Sequence, residues 1–76
     1  NVDEILEGHD ELVNTAEEWL KNNRGKKMIA STLARENELK FPTHDNTEFK
    51  QALFFKLKEK GLDVSLEGSR LALVCG

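Results

Sequence analysis

Apolar positions in the first third of the chain recur at helical spacing. Val2, Ile5, Leu6, His9, Leu12, Val13, Ala16, Trp19 and Leu20 fall three and four residues apart and predict one amphipathic helix over residues 2–23. Asn22, Asn23 and Gly25 end it. Trp19 is expected to anchor the core against the third helix. Ile29, Ala30, Leu33 and Ala34 give a narrower stripe and a second helix over residues 28–37, entered directly from a basic link with no strand between. Residues 39–44 read as a loop, because Pro42 drives Phe41 out of helical conformation. Leu39 and Phe41 are expected to fill the space between the second and third helices.

The third helix, residues 46–61, has the strongest signals. Asp45 or Asn46 can cap it, with Glu48 at capping-box spacing from Asp45, and Gly61 suits its end. Lys56, Lys58 and Lys60 sit where the helix dipole favours cations. Phe49, Leu53 and Leu57 form its inner stripe, flanked by Ala52 and Phe54. Phe55 falls near the opposite side, where an aromatic must be covered or put to use. Cover by the hairpin or the preceding loop is one explanation. Stacking on a base or insertion into a partner's pocket is the other.

Residues 62–75 alternate as a hairpin. Gly68-Ser69 suits a two-residue II′ turn, which pairs Glu67 with Arg70, Leu66 with Leu71, Ser65 with Ala72, Val64 with Leu73, Asp63 with Val74 and Leu62 with Cys75. Leu62, Val64, Leu66, Leu71, Leu73 and Cys75 then share the inward face. The fold class expected is therefore α+β: three helices followed by a C-terminal β-hairpin, one domain over residues 1–76.

Composition adds bounds. A chain of 76 residues has room for only a small core. Lacking an initiator Met, it is expected to be an excised domain or a processed product. No apolar run approaches the length of a membrane span, and the lone Cys75 fits a reducing, intracellular setting, cytoplasmic or nuclear. Net charge is −3, yet residues 1–20 hold seven acids and no Lys or Arg, while the remainder holds eleven bases against seven acids.

Catalytic signatures are missing. Glycines are scattered, Cys75 belongs to the hairpin's inner face, and His9 lies on an apolar edge without ligand-type neighbours. No enzyme, cofactor, metal or small-molecule substrate is expected.

Ile29-Ala30 and Leu33, then Leu53, Leu57 and Lys60-Gly61-Leu62 leading into the hairpin, resemble the winged-helix family over about two-thirds of the chain. The resemblance implies nucleic-acid binding, with duplex DNA as partner and the third helix as its reading element. Thr47, Gln51 and Lys58 would face the groove, with Lys50 at the margin and His44 and Asn46 near the helix start. Arg24, Lys26 and Lys27 would hold phosphates, and Arg70 would be the wing contact. The alternative is a protein–protein interaction module of the same fold, using Phe55 and the acidic first helix.

Overall fold

The computed structural model describes residues 1–42 and 47–76. The fold is α+β. It contains α1 (Val2–Ile5), α2 (Asp10–Asn22), β1 (Lys27–Met28), α3 (Ala30–Glu36), α4 (Thr47–Glu59), β2 (Val64–Glu67) and β3 (Ala72–Cys75). The antiparallel sheet has the order β1-β3-β2. Four described helices and three strands thus replace the expected three helices and two strands.

The single first helix is in fact two. Its hydrophobic period is continuous, but Gly8 takes a left-handed φ of 82° and breaks the hydrogen-bond ladder. Asn1 caps the short α1 by accepting from the Glu4 amide at 3.0 Å. Leu6, in the break, is buried against the core.

The basic link is also resolved differently. Gly25, at φ 82°, turns the chain so that its amide donates to the Cys75 carbonyl at 2.9 Å. Lys27 and Met28 then pair with Val74 and Leu73. Period analysis misses a two-residue strand because one alternation cannot be told from the edge of a helix. Met28, read as the start of a helix, is a buried strand residue, and α3 begins at Ala30.

The hairpin register is shifted by two residues from the expected one. Val64 pairs with Cys75, Ser65 with Val74, Leu66 with Leu73 and Glu67 with Ala72. The turn spans residues 68–71, with Gly68 at φ 75° and Leu71 at φ 53°. A two-residue slip preserves parity, so Val64, Leu66, Leu73 and Cys75 keep their common face. Leu71 leaves that face for the turn, and the expected Glu67–Arg70 pair does not form. Leu62 is buried just ahead of β2.

The core lies between α2, α3, α4 and the sheet. Leu12, Leu20, Phe49, Leu53, Leu57, Leu73 and Cys75 are its largest fully enclosed side chains. Phe49 meets His9 and Phe41 edge-on, with ring centroids 4.9 and 5.2 Å away. Leu39 and Phe41 are partly buried and pack on the core. Trp19 is only half-buried and lines a shallow cleft with Met28, Ile29 and Leu33 at the junction of β1 and α3, not against α4. The expected α4 cap, Asp45 or Asn46, lies outside the described residues.

Two helices end in the same hydrogen-bond motif with different residues. After α4, the Leu62 amide donates to the Leu57 carbonyl at 3.1 Å and that of Gly61 to Lys58 at 2.9 Å, with Gly61 left-handed at φ 94°. After α3, the Leu39 amide donates to Ala34 at 2.8 Å and that of Glu38 to Arg35 at 3.3 Å, with Glu38 at φ 56°. A side chain at that position is strained, and Glu38 is exposed, so little packing offsets the strain. Glu38→Gly is expected to stabilise the domain by about 0.5–1 kcal/mol in urea denaturation, and Gly61→Ala to destabilise it by about 1 kcal/mol. Opposite signs at two matching positions would be hard to obtain from any other cause.

Candidate binding face on the fourth helix

Helix α4 has an inner side formed by Phe49, Ala52, Leu53 and Leu57, all buried. Its outer side carries Thr47, Glu48, Gln51, Phe55, Lys58 and Glu59, all exposed. Phe55 is 55% accessible, the one large apolar side chain so exposed among the described residues. Neither the hairpin nor the preceding described loop residues cover it. Phe54, half-buried, lies beside it with ring centroids 5.4 Å apart, and the Lys58 amine sits 5.7 Å from the Phe54 ring centre.

The cations of α4 do not form one positive surface. Lys56 turns toward α1, where its Nζ meets Asp3 Oδ1 at 3.2 Å, with Glu59 at 3.8 Å. The hydrogen bond to Asp3, with the charge of that carboxylate and of Glu59, holds the Lys56 amine above its ordinary range. Lys60 reaches Glu17 at 3.7 Å. The Glu17 carboxylate is held below its ordinary range, chiefly by the hydrogen bond from Lys21 and further by Lys60. Lys56 and Lys60 stand roughly 100° and 140° around the helix from Phe55, on the side that meets the first two helices, where Asp3 and Glu17 pair with them. Glu48 and Glu59 stand on that face among the remaining bases, an interleaving that the sequence reading overlooked although helical spacing gives it.

The other expected contacts are dispersed. Thr47, Gln51 and Lys58 share the outer face, and Lys50 is half-exposed at its margin. Arg70 is exposed at the hairpin tip. Lys26 lies in the turn before β1, where its amide donates to the Asn23 carbonyl. Lys27 sits in β1 rather than at a helix N-terminus, and its amine lies 4.0 Å from Glu67. Arg24 donates through Nη1 to the Gly76 carbonyl at 2.9 Å, closing the chain end onto the α2–β1 turn. His44 and Asn46 lie outside the described residues.

Among the described residues no group of three or more His, Cys, Asp and Glu side chains is placed to hold a metal ion. No described helix is long and apolar enough to cross a membrane. No protein-family model matches the chain, and neither a curated protein nor a solved structure resembles it significantly.

Proposed function

We propose that this chain is an intracellular winged-helix-type interaction module that binds a protein partner through the outer face of α4, with Phe55 as its anchor. The observation that carries this reading is the 55% exposure of Phe55 on a stripe of mixed charge. An exposed aromatic flanked by polar side chains of both signs suits a protein contact, where one desolvated ring supplies much of the affinity and the charges orient the partner. The same stripe suits a polyanion less well, since Glu48 and Glu59 would face the phosphates while Lys56 and Lys60 are held by Asp3 and Glu17.

A second reading, duplex DNA read by Thr47, Lys50, Gln51 and Lys58, draws support from β1. The winged-helix pattern has a strand between its first two helices, and β1 lies at the corresponding place between α2 and α3. Salt separates the two. The DNA reading requires affinity for a mixed-sequence duplex to fall steeply between low and physiological salt, and Arg70→Ala to flatten that slope. The protein reading expects weak duplex binding insensitive to Phe55→Ala. A Phe55-dependent, steeply salt-sensitive duplex affinity would overturn it.

A further inference from the structure

The outer stripe of α4 is self-complementary. Glu48, Gln51, Phe55 and Lys58 follow one another at spacings of three, four and three, the seam spacing of a helix that packs lengthwise on another. All four are exposed, and neither Glu48 nor Lys58 forms an ion pair among the described residues. Position 53 is midway between Glu48 and Lys58 and also midway between Gln51 and Phe55. A two-fold axis crossing α4 at that level therefore exchanges acid with base and amide with aromatic.

We propose that the outer face of α4 docks antiparallel on the same face of a second copy of this chain. Each Glu48 meets the partner's Lys58, and each Phe55 packs over the partner's Gln51. The inference rests on α4 being a protein-contacting face and names its occupant. Only the antiparallel arrangement works. A parallel pair would set Glu48 against Glu48 and Lys58 against Lys58, about 15 Å apart along the helix, with like charges at both ends. The apolar content is one ring per copy, and one helix face covers far less than the roughly 1,200 Å² of a stable interface. The association is accordingly weak, with a dissociation constant on the order of 0.1–1 mM.

Sedimentation equilibrium from about 10 µM to about 2 mM tests it. Wild type should rise from monomer mass toward dimer. Phe55→Ala, Lys58→Glu and Glu48→Lys should each weaken association about tenfold or more, while an equimolar mixture of the two charge variants recovers it, because each then supplies what the other lacks. Arg35→Glu and Glu36→Lys, the same charge changes on exposed α3 positions, should leave association intact. Lys58→Gln and Glu48→Gln, gentler on the helix, should weaken association less than the reversals, and their mixture should recover only part of it, since the mixed pair keeps one Glu48–Lys58 contact and loses the other. Melting curves accompany every variant. A wild type that stays monomeric throughout, a mixture no better than its components, or equal losses from the α3 controls overturns the proposal. If Phe55→Ala still melts like wild type in that case, only the identity of the occupant is lost. If it melts far lower, the reading of α4 as a contact face falls with it.

Discussion

Phe49→Ala is expected to cost about 3–5 kcal/mol and to leave the domain partly unfolded at 25 °C. Phe49 is 1% accessible and is the largest side chain sealed in the core. Its ring is met edge-on by His9 from the start of α2 and by Phe41 from the loop before α4. Truncation removes the transfer free energy of the ring, two edge-to-face contacts and the packing of three separate segments around one centre. A chain of this length has only about 4–11 kcal/mol of stability to lose. Urea denaturation followed by far-UV circular dichroism should show the midpoint collapse, and loss of less than about 1 kcal/mol would mean the three segments do not converge on this ring. His9 Nδ1 is buried with no hydrogen-bond partner among the described residues, so an apolar ring of similar shape there should be tolerated far better than loss of Phe49.

Met28→Ala is expected to cost about 2–5 kcal/mol, with the damage concentrated at one edge of the sheet. Met28 is 3% accessible although β1 has only two residues. Its pairing with Leu73 ties the segment between α2 and α3 to the hairpin. Hydrogen exchange gives the sharper readout. The Gly25 amide, bonded to Cys75, should lose protection in the variant before the Gly76 amide, bonded to Asp63 across the hairpin. Equal loss at both would make β1 no more than a passenger of global unfolding.

How far the sequence could be read follows from which signals are local. The α4 stripe of Phe49, Leu53 and Leu57 and its Gly61 terminus are set by residues within a few turns, and both stand as expected. The inward parity of the hairpin survived a register error because a slip of two residues leaves each paired side chain on its own face, Leu71 alone being lost to the turn. The register itself depended on Leu71 accepting a left-handed φ, which residue preference argues against and the pairing of Leu73 with Met28 and Leu66 overrides. Strand β1 escaped notice for the same reason: its partner is more than forty residues away in sequence. Gly8 inside a continuous apolar period was a visible warning of the α1–α2 break.

The candidate face was partly legible. Helical geometry put Phe55, Thr47, Gln51 and Lys58 on one side, and they share it. The destinations of Lys56 and Lys60 were not legible, since Asp3 and Glu17 reach them only after the first two helices fold across α4. The mixed charge of the outer surface itself was legible, because helical spacing alone sets Glu48 and Glu59 beside Lys58.

The account turns on Phe55 being exposed for a partner rather than for the fold, and equilibrium urea denaturation of Phe55→Ala measures this most directly. The account predicts a midpoint within about 0.5 kcal/mol of wild type, as for an exposed surface position. A loss of 2 kcal/mol or more, of the size reserved for enclosed aromatic side chains, would contradict it.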